Sequence, residues 1–272
     1  MKLHRSLRCY LIVCVIVLAY ACSASKYKAT NKQHRKQVKA LTKSLAKLPL
    51  RDSFPTGEWV GTINFGLRKP NFVILHHTAQ DSCGQTLKTF TTTASQVSAH
   101  YVICKDGTIH HMLNDYFRAW HGGVARWGNT TDINSSSIGI EIDNNGLVPF
   151  TDEQIRSTLM LLDKLKKAYN IPAANFIGHG DIAPKRKVDP SVYFPWKVLA
   201  DSGYGLWWSD TTGLRVPDNF NSLQALRIIG YDVRDSSAVI QAFKRKYEQQ
   251  DNSATLTPED RKVLFALYRK YE

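Results

Sequence analysis

Two short apolar runs carry side chains that a strand interior rarely tolerates without a use for them. Asn71-Phe-Val-Ile-Leu-His-His77 reads as a central strand closing on two consecutive imidazoles. Ser137-Ile-Gly-Ile-Glu-Ile-Asp143 reads as another, with the Glu141 carboxylate amid isoleucines. About a hundred residues after the first run, Phe176-Ile177-Gly178 is a third short strand that delivers His179 to its end.

The rest of the pattern alternates strand and helix. Gln96 to Cys104 reads as a strand, Lys105-Asp106-Gly107 as a hairpin turn and Thr108 to Met112 as its return. Thr151-Asp-Glu-Gln154 is a capping box, and Ile155, Leu159, Leu162, Leu165 and Tyr169 follow at helical intervals, so a helix is expected over about 152–169. Strands interleaved with a long helix predict an α/β fold with a mixed central β-sheet flanked by helices. Beyond the polar stretch Ser209 to Val216 everything reads as helical, in three stripes: Phe220 to Ile229 ending at Gly230, Val239 to Tyr247, and Thr257-Pro258 to Tyr271. These predict a small three-helix C-terminal domain.

The N-terminus belongs to targeting rather than to the fold. Lys2, Arg5 and Arg8 precede an apolar run from Cys9 to Leu18, which closes on Ala19-Tyr20-Ala21, the layout of a secretory signal peptide over residues 1–21. Cys22 follows the small-residue site and is a candidate for lipidation, which would make the chain an exported lipoprotein; ordinary cleavage to a soluble product is the alternative. Of the five cysteines, Cys83 and Cys104 remain, and an exported compartment permits a disulfide between them or leaves two buried thiols.

The formal charge is +13, from 36 Lys/Arg against 23 Asp/Glu, and the excess is localised. Lys26 to Arg51 holds nine Lys/Arg and no acid, with Val38, Leu41, Leu45 and Leu48 near helical spacing. This reads as a basic amphipathic helix or tether within residues 22–55, drawn to an anionic membrane face or an acidic polymer, or packing its stripe on the domain that follows. Nucleic-acid binding does not suit an exported chain. The segments are then a signal peptide at 1–21, a tether at 22–55, a catalytic domain at 56–208 and the helical domain at 209–272.

The chemistry-bearing residues suit a hydrolytic metal centre: imidazoles, a carboxylate ligand, a carboxylate base and a lysine. Successive strand side chains point to opposite faces, so only one of His76 and His77 can reach a given metal. His179 and Asp189 bracket a loop stiffened by Pro184 and Pro190. Glu141 is a candidate general base that takes a proton from water and passes it to a departing amine, or else one half of a buried ion pair. Lys187, two residues before Asp189, is a candidate for stabilising an oxyanion. Trp120-His121-Gly122-Gly123 and Trp127 read as a rim for stacking on sugar or peptide, with burial in the core the alternative for the tryptophans; His100, Trp120 and His121 are candidate substrate contacts, with a supporting role the alternative for His100. His110 and His111 are candidates only for supporting roles.

Taken in order, Ile74-Leu-His-His-Thr-Ala79, Ser98-Ala-His-Tyr101, Ala119-Trp-His-Gly122, Ser137-Ile-Gly-Ile-Glu141, His179-Gly-Asp-Ile-Ala-Pro-Lys-Arg-Lys-Val-Asp-Pro190 and Phe194-Pro-Trp196 resemble the zinc-dependent N-acetylmuramoyl-L-alanine amidases of the amidase-2 and peptidoglycan-recognition-protein superfamily, in particular the AmiD-like outer-membrane lipoproteins. The resemblance covers about residues 56–208. It implies zinc ligation by His76, His179 and Asp189, with Glu141 and Lys187 at the catalytic positions. It also implies cleavage between the lactyl group of N-acetylmuramic acid and L-alanine, in peptidoglycan or in anhydro-muropeptides, for wall remodelling or recycling. The tail is similar to three-helix peptidoglycan-binding domains through Leu223-Gln-Ala-Leu226, Ile229-Gly-Tyr231 and Ala238 to Phe243, but Gln249 to Thr255 replaces the usual closing Asp-Gly segment. The expected setting is the cell envelope, on an outer membrane facing the periplasm, with the protein held through Cys22 and acting as a monomer. The alternatives are peptidoglycan recognition without cleavage and a tether joining envelope to wall.

Overall fold

Six residues of one strand organise the molecule. β1 (Phe72–His77) is buried along its whole length and lies between β4 (Ser137–Ile142) and β5 (Phe176–Gly178), parallel to both. β4 in turn pairs in parallel with β2 (Tyr101–Ile103), and β3 (Ile109–His111) closes the hairpin antiparallel to β2, giving a mixed five-stranded sheet in the order β3-β2-β4-β1-β5. The computed structural model describes residues 27–45, 62–249 and 252–272. The expected signal peptide at 1–21, Cys22, and the start of the expected catalytic domain at 56–61 lie outside them.

Two compact units result, one up to Phe65 and one from Gly66 to Glu272. In the first, α1 (Lys28–Leu45) is the helix read from the basic stretch; it has no acid in its first turn and no buried residue, and Leu41 and Leu45 are exposed. Among the described residues no helix is long and apolar enough to cross a membrane.

In the second unit, alternation along β1 and β4 supplies two cores. Val73, Leu75, Ile138, Ile140 and Ile142 pack against Leu161, Leu162 and Leu165 of α3 (Asp152–Tyr169). That helix begins at the expected capping box, with Thr151 Oγ1 accepting from Gln154 N and Thr151 N donating to Gln154 Oε1. On the opposite face, Phe72, Ile74 and Ile177 join one continuous cluster with Leu226 and Ile229 of α6 (Ser222–Ile229), Val239 and Phe243 of α7 (Ser236–Tyr247), and Leu264 and Leu267 of α8 (Pro258–Tyr268). The three C-terminal helices thus share a core with the sheet. Gly230 ends α6 with φ +133, and a Cβ there would collide with the Trp127 indole, which is buried and meets Tyr231 edge-on at 4.9 Å. Trp127, expected on a rim, is therefore a core residue.

Two helices escape a reading by periodicity: α2 (Cys83–Thr91), and α5 (Trp196–Asp201). The four-residue α4 (His179–Ile182) follows β5 directly. α2 carries Gly84 and a series of threonines, poor helix formers. Its start is nevertheless marked, since Ser82 Oγ accepts from Gln85 N and Asp81 N donates to Gln85 Oε1. α2 is tied to the end of β2 by a Cys83–Cys104 disulfide spanning 21 residues, one of the two states open from the sequence.

The turn of α4 is braced from the C-terminal helices. Asp181 is buried and accepts from Gly178 N at 2.9 Å, Tyr231 Oη at 2.8 Å and Lys246 Nζ at 2.8 Å, while the Lys246 ammonium also sits 4.1 Å over the Trp196 ring. A buried carboxylate left without its cation is costly. Lys246→Met is expected to lower stability by about 3 kcal/mol in urea denaturation. Closing a loop of this length, the disulfide is expected to contribute about 3 kcal/mol, lost in a Cys83→Ser/Cys104→Ser double variant by the same measurement.

Candidate metal centre and active-site cleft

Parallel strands in register place neighbouring side chains on one face, and β1 and β4 pair His76 with Glu141 and Ile74 with Gly139. His76 and Glu141 therefore emerge together, with His76 Nδ1 3.9 Å from Glu141 Oε1. β5 ends one residue short of the same level, and the α4 turn swings His179 in beside His76. The loop after α4 returns with Asp189, whose backbone oxygen accepts from Gly180 N at 2.6 Å. His77 points the other way, as period-two alternation requires, and its Nδ1 accepts from Ser191 N at 3.1 Å.

Three donor atoms meet. His76 Nδ1 lies 2.9 Å from His179 Nδ1 and 3.1 Å from Asp189 Oδ2, and His179 Nδ1 lies 3.0 Å from the same Oδ2. All three residues are buried. The His179 tautomer follows from its far nitrogen: Nε2 is 3.1 Å from the Gly122 carbonyl, which can only accept, so Nε2 carries the hydrogen and Nδ1 a lone pair. A lone pair facing a carboxylate oxygen at 3.0 Å repels it unless a cation lies between. A tetrahedral zinc about 2.0–2.1 Å from each donor would space them by about 3.4 Å, within a few tenths of an ångström of what is found. The group fits a small divalent cation of the zinc type. A second group of potential ligands, Cys83, Cys104 and His110, offers no thiolate, because its sulfurs are bonded to each other.

The trio and Glu141 lie in a cleft of about 410 Å³, bounded by Thr86, Thr89 and Phe90 of α2 and by Trp120, Lys187 and Val188. Burial, then the nearby Asp189 charge, pushes the Glu141 carboxyl well above the usual range, with Lys187 opposing. No Lys or Arg within salt-bridge distance of Glu141 is found among the described residues, so it is not one half of a buried ion pair with a cation of that kind. Burial, reinforced by His179, lowers His76 to about 4, so it is neutral at neutral pH. Lys187 is half-buried on the cleft while Lys185 and Arg186 beside it are exposed.

The Trp120-His-Gly-Gly segment differs from expectation. Trp120 does stand at the mouth of the cleft, 46% exposed. His121, expected as a substrate contact, also borders the cleft but is 7% exposed, with Nδ1 3.1 Å from His76 Nε2. The backbone N–H groups of His121 and Gly122 both donate to Asn134 Oδ1, at 3.2 and 2.8 Å, and Gly122 O also accepts from Arg186 Nη2 at 2.8 Å. This loop is chiefly a support for the two histidines. His100 is likewise corrected: it is fully buried, its Nε2 donates to Phe117 O at 2.9 Å and its Nδ1 accepts from Gly139 N at 3.0 Å, so both nitrogens are committed to backbone and none is left for substrate. Asn134 and the α2 wall carry no motif by which the sequence alone would single them out.

Known proteins agree with this geometry. Residues 66–192 match the family model described as N-acetylmuramoyl-L-alanine amidase. The chain is 31% identical over 231 residues to the N-acetylmuramoyl-L-alanine amidase AmiD of Escherichia coli K12, an alignment covering 73% of this chain and 82% of that one. Among solved structures, E. coli AmiD in complex with anhydro-N-acetylmuramic acid-L-Ala-D-γ-Glu-L-Lys superposes with a TM-score of 0.69 at 28% identity, covering 78% of this chain and 93% of that one. AmpDh3 of Pseudomonas aeruginosa in complex with anhydromuramic pentapeptide gives 0.68 at 27% identity, covering 80% and 98%. With the strand register, the buried trio and the cleft carboxylate in place, the chain belongs to the N-acetylmuramoyl-L-alanine amidase family.

Proposed function

We propose that the protein is a zinc-dependent hydrolase of the amide bond between N-acetylmuramic acid and L-alanine, acting on peptidoglycan or on anhydro-muropeptides in wall remodelling or recycling. The observation that carries this reading is the convergence of two imidazole nitrogens and one carboxylate oxygen within 3.1 Å, with the Glu141 carboxylate 3.9 Å from one of them. The anhydro-muropeptides bound in the AmiD and AmpDh3 structures support the choice of substrate.

His76, His179 and Asp189 would hold the ion. Bound there, zinc would supply Lewis acidity and would lower the pKa of water toward neutral. Glu141, raised by burial, takes the proton of the attacking water and returns it to the departing alanine nitrogen. The Lys187 ammonium, on the same cleft, stabilises charge that develops on the carbonyl oxygen. Trp120 offers an indole face at the mouth, where a sugar or stem peptide would pass.

The test is to incubate the mature protein with sacculi and with soluble anhydro-muropeptides and to identify products by mass spectrometry. Stem peptides with a free alanine amine are expected, abolished by a chelator and restored by zinc. Glu141→Ala is expected to retain one zinc per chain but to lose turnover by about 10²-fold or more. Lys187→Ala is expected to lower kcat by about 10²-fold with little change in KM. Stoichiometric zinc with binding to sacculi but no released peptide would replace this reading with one of recognition or tethering.

We further propose an envelope location, exported by the segment 1–21 and anchored to a membrane through a lipidated Cys22. α1 then lies next to the anchor, and its cations, exposed and without acidic neighbours, suit an anionic surface at about 1 kcal/mol each. Cys22→Ser is expected to move the protein from the membrane to the soluble fraction. Reversing Lys32, Lys36, Lys39 and Lys43 to Glu is expected to abolish salt-sensitive co-sedimentation of the unlipidated chain with phosphatidylglycerol vesicles. Persistence of membrane recovery after Cys22→Ser would remove the anchor from the proposal.

A further inference from the structure

An imidazole can offer its Nδ1 to a metal only as the Nε2–H tautomer, and the partner of the far nitrogen decides which tautomer is present. For His179 that partner is a carbonyl, and the matter is closed. For His76 it is a third histidine, His121, which could meet it either with a lone pair or with an N–H.

Ser137 removes the ambiguity. Its hydroxyl oxygen is 2.6 Å from the Ile133 carbonyl, an obligate acceptor, so the hydroxyl hydrogen is committed there. Toward His121 Nε2, at 3.2 Å, the hydroxyl is then an acceptor, and His121 carries its hydrogen on Nε2. With its hydrogen on Nε2, the buried His121 ring presents a lone pair at Nδ1, which accepts from His76 Nε2–H at 3.1 Å. The one hydrogen on His76 is thereby held at Nε2, and its Nδ1 lone pair faces His179 and Asp189.

We propose that Ser137 and His121 are positioning residues: a directed chain from His76 through His121 and Ser137 to the Ile133 carbonyl locks His76 in the tautomer that can ligate a divalent metal ion. The proposal rests on the zinc reading above and extends it to residues with no direct access to the ion.

The rest of β4 is built around this chain. Ser137, Gly139 and Glu141 share one face at period two. Ser137 ends the chain, Glu141 reaches the cleft, and Gly139 lies against the His121 ring, where a Cβ would collide with three ring atoms. Asn134 fixes the His121 backbone from the short turn that also supplies the Ile133 carbonyl. The same loop therefore steadies both histidine ligands, through the His121 ring for His76 and the Gly122 carbonyl for His179.

The experiment has a spectroscopic arm and a binding arm. Long-range ¹H–¹⁵N correlation spectra of the zinc-free mature chain, with histidines ¹⁵N-labelled, are expected to show both His76 and His121 protonated at Nε2; an Nδ1–H on either ring overturns the proposal. Zinc affinity, measured by competition with a fluorescent chelator, is expected to fall about 10- to 100-fold in His121→Leu and by a smaller factor in Ser137→Ala. His121→Gln, whose amide oxygen can accept from His76 Nε2–H, is expected to recover most of the loss. Unchanged affinity in His121→Leu, beside a wild type that binds zinc, would overturn the chain and leave the zinc reading intact. A wild type that takes up no zinc would instead end the zinc reading, and the spectra would still decide the tautomers. The wild-type spectra also serve if a variant fails to fold.

Discussion

The repulsion among three acceptors drawn within 3.1 Å of one another is the constraint around which the protein is arranged. Such a group is unfavourable in a buried site unless a cation occupies its centre, so everything nearby serves to hold the donors in place without that cation. Hydrogen bonds commit the outer nitrogen of each histidine, and Gly180 N holds the Asp189 backbone. Glu141 lies beside the trio and outside it, 3.9 Å from His76 Nδ1.

The C-terminal helices belong to this economy of support. Lys246 of α7 and Tyr231 after α6 both reach Asp181, in the turn that begins with His179. Their apolar faces meanwhile complete the core beneath Ile74, on the same face of β1 as His76. Whatever these helices contribute to glycan binding, their packing stabilises the turn that presents a candidate ligand. The link is physical, because a buried carboxylate anchored by three donors resists displacement of the helix turn that carries it.

Much of this was legible in the order of residues. Strands show as apolar runs, and α3 as a capping box followed by a 3.6-residue stripe, because these depend on neighbours in the chain. Glu141 and the His179–Asp189 loop stand out because ionisable groups among isoleucines, or between prolines, are rare without a purpose. α2 was hidden by glycine and threonines, whose weak propensity is overridden by packing and by the tie from Cys83 to Cys104. The Trp120-His-Gly-Gly segment misleads for a similar reason: an aromatic and a histidine look alike in sequence whether they meet substrate or support a ligand. Trp120 stayed at the surface and His121 did not.

The amino-acid sequence by itself determined the class of fold, the family and the two strands that carry an imidazole and a carboxylate, since alternation and composition are local properties. The tertiary structure decided that His77 Nδ1 accepts from Ser191 N, that both ring nitrogens of His100 are committed to backbone, and that Ser137 meets the far nitrogen of His121. Those outcomes depend on register between strands far apart in the chain and on which hydrogen-bond acceptor lies within 3 Å or so of a ring nitrogen, and neither is encoded in any one segment.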